Sequence, residues 1–183
     1  MRYTIDELFQ LLEDKGSSRY GGEHISQLAH ALQSAQLAVE AGDPASLVIA
    51  SLMHDIGHLV GKGDEGLAEK GIDARHETSG ALVLEQTFGE AVAEPVRLHV
   101  DAKRYLCFAE AGYWDALSRG SKVSLQVQGG PFSAEEAKAF IERPYAPDAV
   151  KLRRYDDLAK VKDKATPDLA EFRNWASRLP ANA

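Results

Sequence analysis

A histidine and an aspartate stand next to each other, His54-Asp55, at the end of the apolar segment 47–56. Polar side chains in a buried segment must be hydrogen-bonded, paired or bound to an ion, because burying them without a partner costs free energy. His58 follows His54 by one helical turn, and Gly57 allows the helix to end there and a cavity to open. The segment therefore predicts a buried polar site, formed either by hydrogen-bonded core residues or by the ligands of a metal ion.

Three more histidines, His30, His76 and His99, fall singly on separate predicted helices, so they can meet this site only through the tertiary fold. Imidazole and carboxylate groups without sulfur are a ligand set that suits iron, manganese or zinc. Asp156 is expected to supply the closing carboxylate, with Asp157 as the alternative. Together these residues favour a metal site over isolated core histidines.

Two of the candidate ligands have a cation on the same predicted helix face. Lys103 lies four residues after His99, and Arg153 lies three residues before Asp156. Side chains at these spacings are neighbours on a helix, so a dianionic group held against the metal would meet both cations. The pattern indicates an anionic ligand, the alternative being that these basic residues lie on solvated helix faces.

The composition predicts one globular domain, residues 1–183, with a small-molecule ligand. The chain is 44% hydrophobic and 27% charged, which is typical of a soluble domain with its own core. Its net charge of -7 argues against a nucleic-acid partner, because backbone binding needs a cationic surface. Cys107 is the only cysteine, which excludes an intrachain disulfide and a thiolate metal cluster. No run of about 18 apolar residues occurs and the first ten residues are amphipathic and acidic, so we expect a cytoplasmic protein without membrane contact.

Helix signals extend along the whole chain and predict an all-α fold. Capping boxes begin at Thr4 and Ser133, Gly42 provides a left-handed stop, and Asp43-Pro44 is typical of an N-cap followed by a first-turn proline. Helices are predicted over 4–15, 23–41, 45–56, 75–88, 95–108, 109–119, 133–143, 147–162 and 168–178, with a glycine-marked loop from residue 57. The third is apolar nearly all round and should lie at the centre of the fold. Only 123–128 alternates like a short strand, and the Gln-Gly-Gly-Pro that follows suits an irregular loop equally well.

The order of the candidate ligands resembles that of the HD-domain superfamily: a histidine, a His-Asp pair and a late aspartate. Further motifs resemble the mixed-valent diiron oxygenases of that superfamily that cleave 1-hydroxyphosphonates, which are related to myo-inositol oxygenase. The motifs are Tyr20-Gly21-Gly22-Glu23, Gln27-Leu28-Ala29-His30, His54-Asp55-Ile56-Gly57-His58, His99-Val100-Asp101-Ala102-Lys103-Arg104-Tyr105-Leu106, Gln128-Gly129-Gly130-Pro131 and Arg153-Arg154-Tyr155-Asp156. The resemblance implies a helical HD-domain bundle with two iron ions, Fe(II) and Fe(III), and O2 as co-substrate.

The resemblance also assigns the ligands to the two ions. One ion would be bound by His30, His54, Asp55 and Asp156, and the other by Asp55, His76 and His99. Asp55 would bridge both. Single-ion hydrolases of the superfamily often need only the first four, so the two additional histidines favour the two-ion oxygenases.

Roles for the surrounding residues follow from the same resemblance. His58, Lys103, Arg153, Ser121 and Ser124 would contact the phosphonate, although an ordinary loop would equally account for the two serines. Tyr20 and Glu23 would form a gate at the second ion, and Glu23 is a plausible partner for a substrate ammonium, the alternative being a first-turn helix glutamate. His24 has no counterpart in the pattern and is read as a surface or supporting residue.

The implied reaction is O2-dependent cleavage of the carbon–phosphorus bond of 1-hydroxy-2-aminoethylphosphonate or its trimethylammonio analogue, which gives phosphate and glycine or glycine betaine. Two other functions use the same ligands. One is a phosphohydrolase in which the metal activates water against a phosphate ester. The other is a non-catalytic, ligand-sensing HD domain, which the intact ligand set disfavours. A monomer or small homo-oligomer is expected.

Overall fold

Most of the helices predicted from the sequence are present in the computed structural model, which describes residues 2–18, 24–60 and 67–180. These ranges contain eleven α-helices and one 3-10 turn at Ala68–Lys70, and no strand. The helices are α1 (Ile5–Lys15), α2 (Gln27–Glu40), α3 (Ala45–Met53), α4 (Gly57–Val60), α5 (His76–Phe88), α6 (Glu90–Ala109), α7 (Tyr113–Ala116), α8 (Arg119–Val127), α9 (Ala134–Ile141), α10 (Ala146–Leu158) and α11 (Leu169–Ala176). The predicted all-α fold is confirmed.

Local sequence signals explain several helix ends. The side chains of Thr4 and Ser133 each accept a hydrogen bond from the backbone N–H three residues on. The glutamate at that position in turn accepts a hydrogen bond from the backbone N–H of the cap residue, as the capping boxes predict. Gly42 has a φ of 73°, the left-handed stop expected after α2. These features depend only on neighbours in the sequence.

Helix α3 forms the centre of the fold. Every residue from Leu47 to Met53 is buried, and the helix packs against α2, α6, α10 and α11. Its apolar surface all round requires this position, because each face must be removed from water. The end of α3 is therefore fixed from several sides. His54 and Asp55 follow directly after this end.

Glycine permits an unusually close approach between α4 and α5. A Cβ atom added to Gly57 would lie 2.0 Å from the carbonyl oxygen of His76, and one added to Gly80 would lie 3.1 Å from the backbone nitrogen of Gly57. The sequence-based expectation that Gly57 begins a loop is wrong, since it begins a short helix. Its function is to bring the His-Asp pair close to the start of α5.

Three other local predictions are corrected. Residues 123–127 are the end of helix α8, with Gln128 as its C-cap, rather than a strand or loop. The helix predicted over 109–119 is reduced to the four-residue helix α7 between the end of α6 and the start of α8. Helix α6 begins at Glu90, and Pro95 lies inside it; Val92 and Val96 on its core-facing side are buried, so packing outweighs one lost backbone bond.

Asp43 does not cap α3; the N-cap is Pro44, without a side-chain bond. The Asp43 carboxylate instead accepts from Lys151 Nζ at 2.7 Å and Tyr155 Oη at 2.5 Å, both on α10. This contact fastens α10 to the α2–α3 turn. Within the described ranges, no helix is long and apolar enough to cross a membrane.

Candidate metal and anion site

The predicted ligands converge from five regions of the fold. Their positions are His30 on α2, His54 and Asp55 between α3 and α4, His76 at the start of α5, His99 on α6 and Asp156 on α10. Two groups of three residues bring their ligand atoms within 4.8 Å of one another. The first is His30, His54 and Asp55, and the second is Asp55, His76 and His99. Asp55 belongs to both groups, as expected for a bridging carboxylate.

Backbone carbonyls orient three of the histidine rings. The Nδ1 atoms of His30, His54 and His99 lie 2.8, 2.8 and 2.6 Å from the carbonyl oxygens of Ala159, Ser51 and Val96, respectively. A carbonyl can only accept, so these Nδ1 atoms carry a proton. In a neutral ring the Nε2 atom then presents its lone pair to the interior, which is the form that binds metals.

The inward-facing nitrogens lie too close to one another for uncharged rings alone. Nε2 of His30 is 3.1 Å from Nε2 of His54, and Nε2 of His76 is 3.2 Å from Nε2 of His99. Two lone pairs at such distances repel unless a proton or a metal cation lies between them. Asp55 lies beside both pairs, with Oδ2 3.4 Å from His54 and Oδ1 3.3 Å from His76. Its buried Oδ2 has no hydrogen-bond partner. This donor set fits a pair of cations.

Asp156 closes the first group from α10. Its Oδ1 lies 3.4 Å from His30 Nε2, and its Oδ2 accepts from Arg153 Nη1 at 2.7 Å. Asp157, the alternative ligand, points away and pairs with Arg153 and Tyr113. Of the two candidates, only Asp156 lies against the histidines.

A cluster of cations and serines lies next to the carboxylates. Lys103 donates to Ser124 Oγ at 2.8 Å, and Arg153 donates to Ser121 Oγ at 3.2 Å. Lys103 and Arg153 are buried, with exposures of 2% and 3%. Because buried ammonium and guanidinium groups need compensating charge, this arrangement favours an anionic ligand beside the metal groups.

The comparisons with known proteins agree with this geometry. The family model described as "HD domain" matches residues 23–156. The chain belongs to the HD-domain family. It is 46% identical over 169 residues to hydroxymethylphosphonate dioxygenase of Gimesia maris, an alignment that covers 92% of this chain and 84% of that protein.

Two further relatives of this HD domain are informative. Identity is 36% over 169 residues to [1-hydroxy-2-(trimethylamino)ethyl]phosphonate dioxygenase (glycine-betaine-forming) of Leisingera caerulea, covering 92% of this chain and 86% of the relative. An uncharacterised protein of Acanthamoeba polyphaga mimivirus is 33% identical over 173 residues, covering 93% and 79%. The predicted resemblance to HD-domain phosphonate dioxygenases is therefore confirmed.

The electrostatics of the HD-domain site favour ionised carboxylates. Burial opposes the charge of Asp55, yet the neighbouring His54 holds the pKa of this carboxyl well below its usual range. Burial likewise opposes the charge of His54, but Asp55 and Asp156 raise its pKa to about 9. Burial and the nearby His76 hold the pKa of His99 well below its usual value, so this ring is neutral. A cation that binds here must therefore displace the proton of His54.

His58 lies at the more exposed edge of the metal groups. Its ring stacks on His76 with centroids 4.1 Å apart, and its Nε2 is 3.9 Å from Asp55 Oδ1. The side chain is 25% exposed, so it can meet a molecule that enters from solvent. His24 is exposed, while the predicted gate residues Tyr20 and Glu23 lie outside the described residues.

Sequence reasoning missed two contributors to the cation cluster. Tyr113 receives a hydrogen bond from Arg153 Nε at 3.2 Å and donates to Asp157, so this pair fixes the guanidinium. Lys160 lies 3.4 Å from both Asp156 Oδ1 and Ser121 Oγ. Its spacing, one helical turn after Asp156, is the signal that related Lys103 to His99 and would have identified it.

Proposed function

We propose that this protein is an O2-dependent diiron oxygenase that cleaves the carbon–phosphorus bond of a 1-hydroxyphosphonate. One observation carries the proposal: two His/Asp groups share Asp55 and lie against a buried cation cluster that includes Lys103 and Arg153. The two named relatives support it, because both are called dioxygenases of 1-hydroxyphosphonates.

The ligand roles are part of the proposal. We assign His30, His54, Asp55 and Asp156 to one ion and Asp55, His76 and His99 to the other. The inward-facing lone pairs and the unpartnered Asp55 oxygen support this assignment. Iron fits better than zinc, since zinc has no redox chemistry and an oxygenase needs it. When bound as an Fe(II)/Fe(III) pair, the metal supplies the electrons that activate O2.

The protein side chains bind and orient the substrate. Lys103 and Arg153 neutralise the phosphonate, and the hydroxyls of Ser121 and Ser124, which already bond to these cations, complete its hydrogen bonds. His58 contacts the substrate from the exposed edge of the site. With the phosphonate bound there, the C1 hydroxyl would face the metal ions that Asp55 would share.

Tyr20 and Glu23 are proposed as the gate that substrate displaces. This role rests on their sequence motif alone, together with the expected attraction between Glu23 and a substrate ammonium.

The reaction balances without an external reductant. A 1-hydroxyphosphonate and one O2 give one carboxylic acid and one phosphate: C1 is oxidised to the carboxyl level, O2 is reduced, and the carbon–phosphorus bond breaks. Hydroxymethylphosphonate would give formate. The aminoethyl and trimethylammonioethyl substrates would give glycine and glycine betaine.

The substituent on C1 separates the candidate substrates. The described cation cluster faces the phosphonate, which all three share. The relative at 46% identity makes hydroxymethylphosphonate the first compound to test, ahead of the 1-hydroxy-2-aminoethyl and trimethylammonio compounds that the sequence motifs suggest.

Phosphorus NMR tests the proposal directly. The protein is loaded anaerobically with iron, mixed with each of the three substrates and then divided between air and nitrogen. Phosphate release in air alone is expected for at least one substrate. Release at the same rate under nitrogen would instead support the phosphohydrolase, which the names of the relatives disfavour, and no release would reject the oxygenase.

Iron counting tests the two-ion assignment separately. His76→Ala is expected to bind one iron per chain rather than two, because it removes a ligand of the second ion only. Retention of two ions would show that the assignment is wrong. We also propose a cytoplasmic monomer or small homo-oligomer without a nucleic-acid partner, in keeping with the acidic charge.

A further inference from the structure

Helix α5 begins with His76 and Glu77, and the Glu77 side chain lies beside the imidazole of its neighbour. Glu77 Oε2 is 3.6 Å from His76 Nδ1, and the side chain is only 13% exposed. The other oxygen, Oε1, accepts a hydrogen bond from Thr78 Oγ1 at 3.2 Å. Oε2 is buried and has no hydrogen-bond partner among the described residues. Because a buried carboxylate oxygen without a partner costs free energy, this atom needs a donor.

His76 differs from the other three candidate histidine ligands in how its ring is held. The Nδ1 atoms of His30, His54 and His99 each face a backbone carbonyl. No backbone carbonyl within residues 2–18, 24–60 and 67–180 accepts a hydrogen bond from His76 Nδ1. This nitrogen faces the Glu77 carboxylate instead, so a charged side chain stands where the other rings have a neutral carbonyl.

The two nitrogens of His76 face two different carboxylates. Nε2 lies 3.3 Å from Asp55 Oδ1 on the side of the metal groups, and Nδ1 lies towards Glu77. A neutral imidazole has one proton, so Nε2 can bind a metal ion only if Nδ1 carries that proton. The ring of His58 stacks on His76 with centroids 4.1 Å apart, which limits tilting but does not select the protonated nitrogen. An acceptor beside Nδ1 therefore favours the form of His76 that binds metal.

We infer that the Glu77 carboxylate accepts the Nδ1 proton of His76 and so positions this ring as a ligand of the second ion. The inference rests on the proposed function, since it concerns the second of the two proposed ions. Oε2 must approach Nδ1 by about 0.8 Å to reach the usual length of a charge-assisted hydrogen bond. Rotation of the Glu77 side chain can supply this movement without a change in the backbone of α5. Glu77 is a positioning residue, because it acts on the ion through His76.

The direct test measures the affinity for each iron ion rather than turnover. Titration with Fe(II) under nitrogen, against a coloured chelator, gives two stepwise Kd values, and His76→Ala identifies the one that belongs to the second ion. Glu77→Leu should raise that Kd by about tenfold to a hundredfold, the usual effect of removing the partner of a ligating histidine. The Kd of the first ion should change little, whereas a general loss of structure would weaken the binding of both ions.

Glu77→Gln is the conservative variant. Its amide oxygen can accept the same proton, so this variant should bind the second ion more tightly than Glu77→Leu does. It lacks the negative charge, so a redox titration followed by electron paramagnetic resonance should show a higher Fe(III)/Fe(II) potential than in the wild type. An unchanged potential would point to a merely structural role and contradict the inference.

Glu90 provides the matched control. Glu77 also lies in the first turn of α5, where a negative charge favours the helix dipole. Glu90 is an exposed acidic residue in the first turn of α6. Glu90→Leu should lose the same kind of helix-end stabilisation, seen as a lower melting temperature, and keep both Kd values. An unchanged Kd of the second ion in Glu77→Leu, or a Glu77→Gln variant that binds this ion no more tightly than Glu77→Leu, would overturn the inference.

The affinity test is independent of the oxygenase proposal. If the wild type releases no phosphate in air but Glu77→Leu still weakens the second ion alone, the proposed reaction fails while the role of Glu77 stands. If the wild type is active and Glu77→Leu keeps both Kd values, the reaction stands and the role of Glu77 fails.

Discussion

Replacing Gly57 by alanine should abolish the binding of one of the two proposed metal ions. The added Cβ would lie 2.0 Å from the carbonyl oxygen of His76 and 2.8 Å from Ser79 Oγ. Ordinary contact begins near 3.4 Å, so the start of α5 must move away by about 1.4 Å. In the wild-type protein His76 Nε2 lies 3.3 Å from Asp55 Oδ1. Because metal–ligand distances tolerate only about 0.2 Å, this movement would separate His76 from the second ion.

The loss of folding stability in Gly57→Ala can be measured on the metal-free protein. Overpacking of this kind costs about 1–3 kcal/mol of unfolding free energy. For a chain of this size the melting temperature would fall by about 2–12 °C. The iron content after anaerobic loading should fall from two ions per chain to one, and activity should be lost.

Gly42→Ala is a control that separates the loss of stability from the loss of metal binding. Gly42 has a φ of 73°, so alanine there is strained by about 1–2 kcal/mol, but its Cβ would have no neighbour within 4 Å. This variant should lose comparable stability and keep both ions. Two bound irons in Gly57→Ala would refute the argument that the α4–α5 approach positions the second ion.

Three further predictions follow from the contacts of the site. Tyr113→Phe removes the hydroxyl between Arg153 and Asp157, so steady-state kinetics should show a KM about fivefold higher with little change in kcat; an unchanged KM would contradict its positioning role. Burial and the nearby Arg153 lower the pKa of Lys103 to about 7, so a pH series should show the phosphonate KM rising above that pH, as the neutral amine no longer attracts the anion. A KM that stays constant between about pH 6 and 8, one unit below and one unit above this pKa, would contradict the role of a charged Lys103. Asp43→Ala loses the bonds to α10, and its melting temperature should fall by about 2–8 °C with both irons retained; loss of iron would show that this contact also shapes the site.

Much of the fold could be predicted because its signals are local. The capping boxes at Thr4 and Ser133 and the stop at Gly42 depend on a few adjacent residues. Features set by distant partners could not be predicted in this way. Asp43 is a residue type that is typical of an N-cap, but its carboxylate is engaged by Lys151, 108 residues away.

Helix α8 shows a second limit. Val123, Leu125 and Val127 alternate like a strand, and a window of six residues cannot separate a period of two from one of 3.6. In the structure Ser121 and Leu125 are the buried residues, four positions apart, so the helical period decides. Packing of the whole helix against the rest of the protein, rather than the six-residue pattern, decides between strand and helix.

The ligand set was accessible from the sequence because its residues fall into motifs, whereas its geometry was not. Spacing placed Lys103 beside His99 and Arg153 beside Asp156. It did not show that Arg153 is also engaged by Tyr113, because that contact spans 40 residues between α7 and α10. The resemblance implied that Asp55 is shared, but the closeness of the two groups around it appears only when α2, α3, α5 and α6 are packed together.

The proposed oxygenase activity is tested most directly by the ratio of O2 consumed to phosphate formed. Iron-loaded protein is mixed with hydroxymethylphosphonate in a closed oxygen electrode without added reductant, and phosphate is measured in the same sample. A diiron oxygenase should consume one O2 per phosphate and form no phosphate when O2 is absent. Phosphate formed without O2 consumption would contradict it.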